Sequence, residues 1–223
     1  PKGLPVESAD VPDEAYDDGR VAAEAIRRLQ AAAQREDAPW FLAVGFYRPH
    51  LPFNAPKKYW DLHERTRMPL AAHRSPPEGA PVYAGVEWGE LRAYIGMPQQ
   101  GALTDDQQRE LIHGYYASVS YVDAQIGRVL AEVERLGLSS NTIIVLWGDH
   151  GFHLGDHGFW CKHSNYEEAV RTPLIISVPG AARGAASATL VEAVDLYPTL
   201  VELAALPAAQ VPQPFDGRSF AAA

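Results

Sequence analysis

The densest group of side chains that could do chemistry lies between Asp149 and His163. These 15 residues contain two aspartates, four histidines, one lysine and one cysteine. They follow Thr142–Trp147, whose run of aliphatic residues predicts a buried strand that ends at Gly148. Ligands of open α/β sheets bind where strands end and loops converge. The segment is therefore expected to form a functional loop.

Asp149 and His150 place a carboxylate oxygen and an imidazole nitrogen side by side on a turn. Such a pair could supply two ligands to a divalent cation, but Ca²⁺ or Mg²⁺ needs more oxygen ligands than this loop provides. The remaining ligands would have to come from elsewhere. Aspartate and glycine are also common turn residues, so Asp149-His150-Gly151 alone is a weak signal for a metal and is compatible with a structural turn. Both interpretations stay open at this point.

Lys162 lies twelve residues after His150. That distance is long enough for the loop to fold back and to direct an ammonium group at an anion on the same metal. A second predicted strand, Trp40–Phe46, is followed by a segment with two prolines, which should stay extended and let Arg48 and His50 project. His50 could then form a hydrogen bond to the anion or protonate a leaving oxygen.

The other polar residues have simpler explanations. His153, His157 and His163 are compatible with hydrogen bonding inside the loop, and Arg48 with an ordinary surface charge. Arg48, His153 and His163 are nevertheless retained as candidate substrate contacts. Cys161 is interpreted as a small buried residue and not as a nucleophile, because no helix start or base stands next to it in the sequence.

The composition limits the class of protein. With 47% hydrophobic and 21% charged residues, the chain is globular and long enough at 223 residues for a sizeable core. No apolar run approaches the length of a membrane span. A net charge of −9 argues against a nucleic-acid partner, and one cysteine excludes an internal disulfide framework. The sequence does not predict the oligomeric state.

Strands and helices alternate along the chain. The predicted strands are Trp40–Phe46, Thr142–Trp147, Pro173–Val178 and Leu190–Val194. The predicted helices are Asp13–Glu36, Lys57–His63, Thr104–Leu136, Tyr166–Val170 and Asp195–Leu206, with a capping box formed by Thr104 and Gln107 and with Asp195 as an N-cap. This order predicts an α/β fold with a layered, mainly parallel sheet flanked by helices. The segment Glu64–Gly101, with five prolines, is interpreted as an irregular insertion.

Four stretches resemble the type I, formylglycine-dependent sulfatases, and most closely their iduronate-2-sulfatase group. They read FLAVGFYRPHLPF, GYYASVSYVDAQIGR, GDHGFHLGDHGFWCK and VDLYPTLVELA. The resemblance runs from about Asp13 to Phe220, and the motifs are specific in combination. It implies an alkaline-phosphatase-like fold and a sulfuric ester hydrolase that acts on sulfated sugars.

The resemblance also implies roles for four residues. Asp149 and His150 match the family's metal-site pair, where the metal is usually Ca²⁺ and sometimes Mg²⁺. Lys162 matches the lysine that contacts the sulfate and the nucleophile. His50 matches the histidine that binds the sulfate ester and assists departure of the leaving group. The family setting is exported or lysosomal.

One part of the family pattern is missing from this sequence. The family nucleophile is a formylglycine made from the cysteine of a C-x-P-x-R motif, and an acidic pair before it completes the metal site. Cys161 is followed by Lys162-His163-Ser164-Asn165 and does not match that motif. Residues 1–223 are therefore interpreted as the later part of a single sulfatase-like catalytic domain, inactive alone, with formylglycine expected from a preceding segment.

Two alternatives to a sulfatase remain open. The wider alkaline-phosphatase superfamily includes phosphonate and phosphate ester hydrolases, which share the Asp-His-Gly tripeptide and the downstream lysine. A non-catalytic pseudoenzyme fragment is the other alternative. Against it stands the presence of all four matching residues: His50, Asp149, His150 and Lys162.

Overall fold

A computed structural model describes residues 2–35, 37–85, 89–182, 184–207 and 213–222. The chain divides into two compact units. The larger unit comprises Pro1–Gly137 and His150–Arg171, and the smaller comprises Leu138–Asp149 and Thr172–Ala223. Among the described residues, no helix is both long enough and apolar enough to cross a membrane.

The described residues of the larger unit form four α-helices. They are α1 (Asp17–Ala32), α2 (Lys57–Trp60), α3 (Asp105–Arg135) and α4 (Glu167–Val170). Each lies inside a predicted helix, so these predictions are confirmed apart from their ends. The first predicted helix is divided, because Tyr16 is extended between a short 3-10 turn and α1.

The long helix α3 begins at the predicted capping box. Thr104 Oγ1 accepts a hydrogen bond from the Gln107 backbone N–H at 3.2 Å, and Gln107 Oε1 accepts one from the Thr104 N–H at 3.0 Å. Two backbone donors that the helix leaves without partners are thereby satisfied. Leu111 and Ile112 of this helix are buried in the core of the larger unit.

Helices α1 and α3 are joined through a buried tyrosine. The Tyr121 hydroxyl accepts a hydrogen bond from the Gly19 N–H at 2.6 Å and donates one to the Asp13 carbonyl at 2.9 Å. A Cβ atom on Gly19 would lie 2.1 Å from that carbonyl oxygen, so the close approach requires glycine. The N-terminal end of α1 is thereby fixed against α3.

The residue of α1 before Gly19 connects this framework to the His50 segment. Asp18 is 2% exposed, and its carboxylate accepts hydrogen bonds from the backbone N–H groups of Tyr47 at 2.8 Å and Arg48 at 2.9 Å. Charge-assisted hydrogen bonds of this kind are among the stronger ones in proteins. The backbone immediately before His50 is therefore held by α1.

Two short ladders are present in the described residues. In the larger unit, β1 (Val6–Glu7) pairs in parallel with β2 (Phe53–Asn54). In the smaller unit, β3 (Ile144–Trp147) pairs with β4 (Leu174–Ser177) in antiparallel orientation. The predictions of strands at 142–147 and 173–178 are confirmed. The sequence predicts a mainly parallel sheet. The described residues form one parallel pair and one antiparallel pair.

Two predicted strands are wrong. Trp40–Phe46 forms no ladder with any other described residue, although half-buried and exposed residues alternate along it. The apolar pattern therefore indicates partial burial of alternate residues and not a place in a ladder. Leu190–Val194 is not a strand either, because Leu190 is 98% exposed and buries no apolar face, and a 3-10 turn begins at Ala193.

The smaller unit also contains α5 (Leu196–Leu203), which confirms the last predicted helix in shortened form. Asp195 precedes it, but its side chain does not cap it, which corrects that prediction. Asp195 already has a helical backbone, because it is the last residue of the 3-10 turn. Its carboxylate accepts hydrogen bonds instead from the N–H groups of Arg218 at 2.7 Å and Glu192 at 2.9 Å. These bonds, the one from Arg218 first, lower the pKa of the Asp195 carboxyl.

The long segment between α2 and α3 contains three 3-10 turns, at Arg65–Arg67, Val82–Ala84 and Leu91–Ala93, and residues 86–88 lie outside the described ranges. Met68 and Leu91 are buried in the core of the larger unit. This irregular segment is therefore anchored at two points. Glu90 lies directly before the second anchor.

Candidate active site

His50 lies in a turn and not in the extended segment that its two prolines predicted. Its N–H donates a hydrogen bond to the Tyr47 carbonyl at 3.0 Å. The Arg48 side chain folds back into this turn, where Nη1 donates to the His50 carbonyl at 2.7 Å and Nε to the Asn54 carbonyl at 3.1 Å. A planar guanidinium has several fixed donors and can satisfy two carbonyls at once. Arg48 therefore supports the turn and does not project from it.

The structure brings His50 and Lys162 into contact, although 112 residues separate them in the sequence. Lys162 Nζ lies 2.7 Å from His50 Nε2, and His50 Nδ1 lies 2.7 Å from the Leu51 carbonyl oxygen. A carbonyl accepts and does not donate, so Nδ1 carries a proton and Nε2 accepts from the lysine ammonium. The ring orientation is fixed from both sides.

The loop that carries Lys162 folds back through backbone hydrogen bonds. The Gly151 N–H donates to the Ala169 carbonyl at 2.7 Å, and the His153 N–H donates to the Cys161 carbonyl at 2.8 Å. A Cβ atom on Gly151 would lie 2.1 Å from the Glu168 carbonyl oxygen, so the first contact requires glycine. These bonds explain how a spacing of twelve residues returns Lys162 toward the start of the loop.

His153 lies behind this loop and is fully buried. Its Nε2 is 2.8 Å from the Ser164 hydroxyl, and the rings of Phe159 and Tyr166 pack edge-on against it at 5.3 and 6.0 Å. Burial lowers the pKa of the His153 imidazole below its ordinary value of 6.5, because the charged form is poorly solvated there. The residue is therefore a neutral structural side chain between the two halves of the loop.

Cys161 is 3% exposed, and burial raises the pKa of its thiol. A protonated, enclosed thiol is a poor nucleophile. The interpretation of Cys161 as a small buried residue is confirmed.

The contact between His50 and Lys162 opens onto a cavity of about 580 Å³ in the larger unit. The residues that line it are Lys2, His50, Gly89, Glu90, Lys162 and His163. The structure thus places three predicted site residues, His50, Lys162 and His163, on one cavity. Arg48 and His153 support the loops behind it and are not among its lining residues.

Asp149 and His150 are consecutive residues that belong to different units, Asp149 to the smaller and His150 to the larger. Asp149 is exposed and His150 is half-buried. His150 Nδ1 lies 2.7 Å from the Gly151 carbonyl oxygen, which repeats the arrangement of His50. Over the described ranges, no three histidine, cysteine, aspartate or glutamate side chains gather closely enough to hold a metal ion.

Sequence reasoning missed Lys2 and Glu90, which contribute two of the charges in the cavity. Each is an isolated charge in an irregular segment and belongs to no motif. The proline-rich segment that contains Glu90 was the one available signal, since a long irregular connection in a compact domain is often functional.

The burial of His153 predicts a dependence of stability on pH. The unfolded chain binds a proton at His153 at a higher pH than the folded chain does, so the free energy of unfolding should fall as the pH drops below about 6.5. In the variant His153→Gln this fall should be smaller. Urea denaturation midpoints at pH 7 and pH 5 measure it. His73→Gln, at an exposed position, is the control, and an equal pH dependence in all three proteins would contradict the prediction.

Comparison with known proteins identifies the family. The sulfatase family model matches residues 4–206. Iduronate 2-sulfatase of Mus musculus is 37% identical over 235 residues, which cover 91% of this chain and 42% of that protein. Choline-sulfatase of Rhizobium meliloti is 32% identical over 92% of this chain and 40% of its own length. The chain therefore spans less than half the length of these relatives.

The fold agrees with this similarity. The phosphonate monoester hydrolase SpPMH from Silicibacter pomeroyi superimposes with a TM-score of 0.77 and 28% sequence identity, over 95% of this chain and 42% of that one. The α/β fold predicted from the sequence is thus the fold of alkaline phosphatases and sulfatases. From the family model, which matches most of its length, and from relatives above 30% identity, we conclude that the chain belongs to the sulfatase family.

Proposed function

We propose that this chain is the later part of the catalytic domain of a metal-dependent sulfuric ester hydrolase that acts on sulfated sugars. The observation that carries the proposal is the 2.7 Å contact between Lys162 Nζ and His50 Nε2 at the wall of a cavity. An ammonium beside an imidazole suits an anionic ester whose leaving oxygen must gain a proton. The name of the mouse relative, iduronate 2-sulfatase, supports a sugar sulfate as the substrate.

The two side chains divide the chemistry between them. As a sulfuryl group leaves an alcohol, negative charge develops on its oxygens and on the departing oxygen. The Lys162 ammonium would bind a sulfuryl oxygen. His50 would hold its Nδ1 proton on the Leu51 carbonyl and would relay, through Nε2, the proton that the Lys162 ammonium donates there to the leaving oxygen. The fixed ring orientation reduces the reorganisation that this transfer requires.

We further propose Asp149 and His150 as two ligands of a divalent cation, Ca²⁺ or Mg²⁺. Their donor chemistry fits, because carboxylate oxygens and imidazole nitrogens are both ligands of divalent cations. The described residues supply no third ligand beside them, so the site needs donors from other residues. When bound, the cation would neutralise charge on the sulfuryl oxygens.

The remaining site residues receive different proposed roles. His163 lines the cavity and would contact the substrate. Arg48 and His153 would act indirectly, Arg48 by holding the His50 turn and His153 by supporting the Lys162 loop. The buried Cys161 does not fit the family's formylglycine precursor, and we assign it no chemical step.

A phosphonate or phosphate ester hydrolase is the second candidate, because the hydrolase from Silicibacter pomeroyi has the same fold at 28% identity. Hydrolysis of matched nitrophenyl sulfate, phosphate and phosphonate esters by the full-length protein distinguishes the two. We expect kcat/KM for the sulfate to be highest, and Lys162→Met to lower it roughly 100-fold or more, because a preorganised charge is lost. The exposed Lys57→Met variant is the control.

Faster turnover of the phosphate or phosphonate ester would favour the second candidate. If the full-length protein hydrolysed none of the three esters, a non-catalytic binding module would become the better interpretation.

The metal proposal predicts that Asp149→Asn in the full-length protein loses the bound cation and the activity together, because a charged ligand is removed. The chain offers a matched control, since Asp156-His157-Gly158 repeats the tripeptide Asp149-His150-Gly151. Asp156→Asn should retain the metal. Elemental analysis of purified protein measures the metal content, and full occupancy in Asp149→Asn would remove Asp149 from the site.

A further inference from the structure

The far side of the cavity, beyond His50, is built from two charges that the proposed chemistry does not use. Glu90 Oε1 lies 3.9 Å from His50 Nε2 and 3.3 Å from Lys2 Nζ. The contacts therefore run in the order Lys162, His50, Glu90 and Lys2. One end of this row suits a sulfate group, because it presents an ammonium and an imidazole. The other end presents an acceptor beside a donor.

The pair of Lys2 and Glu90 is more constrained than an ordinary surface ion pair. The Glu90 side chain is 16% exposed and precedes the turn in which Leu91 is buried. The Lys2 N–H donates to the Ala93 carbonyl at 3.1 Å, and its ammonium lies 5.1 Å from the centre of the Tyr94 ring. Surface ion pairs contribute little when both partners are mobile and solvated. Here both backbones are held, and the carboxylate is largely withdrawn from solvent.

A carboxylate beside an ammonium is complementary to a hydroxyl group. A hydroxyl donates one hydrogen bond, which the carboxylate accepts, and it accepts a hydrogen bond from the ammonium. A second anion would be repelled by the Glu90 carboxylate. An apolar group at this position would displace water from the ion pair without replacing the hydrogen bonds of that water.

We propose that Lys2 and Glu90 form a hydroxyl-binding subsite, which recognises a free hydroxyl on the ring carbon next to the sulfate ester. This inference rests on the proposed sulfatase function and adds a substrate class, namely sugar sulfates with a neighbouring hydroxyl. Atoms 3.9 Å apart can contact oxygens on adjacent ring carbons. The cavity volume of about 580 Å³ is ordinary for a small-molecule site.

The test uses the full-length protein and two substrates: a monosaccharide sulfate with a free hydroxyl beside the ester, and its deoxy analogue that lacks this hydroxyl. The wild-type kcat/KM should favour the hydroxyl-bearing substrate by roughly 10- to 100-fold, because the analogue cannot make the hydrogen bonds to the Glu90 carboxylate and the Lys2 ammonium. In Glu90→Gln and in Lys2→Met this ratio should fall toward 1. Lys57→Met changes a comparable lysine–carboxylate pair away from the cavity and should keep the wild-type ratio.

The outcomes separate the subsite from the sulfatase function. A wild-type ratio near 1, or variants that lower both rates equally and leave the ratio unchanged, would overturn the subsite alone. The equal loss would identify Glu90 as a residue that positions His50. If the wild-type protein hydrolysed neither sulfate, the proposed function would fail and the subsite with it. Thermal unfolding midpoints confirm that each variant is folded.

Discussion

The contact between Lys162 Nζ and His50 Nε2 is the interaction on which the rest of the candidate site depends. It joins two loops from distant parts of the sequence at a distance of 2.7 Å. If His50 Nε2 carried a proton, two N–H donors would face each other and repel. The contact therefore requires that His50 keep its proton on Nδ1 and present the lone pair of Nε2 to the Lys162 ammonium. The Leu51 carbonyl meets that requirement.

Each of the two loops is held by buried polar groups and not by regular secondary structure. Asp18 fixes the backbone before His50, and Tyr121 fixes the part of α1 that carries Asp18. On the other side, Gly151 and His153 tie the Lys162 loop to its own flanks. A single such hydrogen bond contributes about 1 kcal/mol, but leaving a buried partner unsatisfied costs more. The position of the site therefore depends on groups that touch no substrate.

The sequence predicted the parts of this structure that are local. The capping box at Thr104 and the helix α3 follow from neighbouring residues, and β3 and β4 follow from continuous apolar runs. His50 and Lys162 were found by motif, and the structure brings them together.

The errors have a common physical cause, which is that distant residues decide the local conformation. Arg48 folds back because two carbonyls within a turn need donors, and Asp18 holds that turn from 30 residues away. The apolar run Trp40–Phe46 forms no ladder with any other described residue. Lys2 and Glu90 meet across 88 residues without any motif. Patterns of neighbouring residues carry none of this information.

The most direct test of the central claim is a titration of the full-length protein with inorganic sulfate, followed through the ring NMR signals of His50. Inorganic sulfate is the product of the proposed reaction, and the pair of His50 and Lys162 is expected to hold it. The account predicts a saturable shift of the His50 signals that is lost in Lys162→Met. A His50 spectrum that stays unchanged at sulfate concentrations which inhibit the enzyme would contradict it.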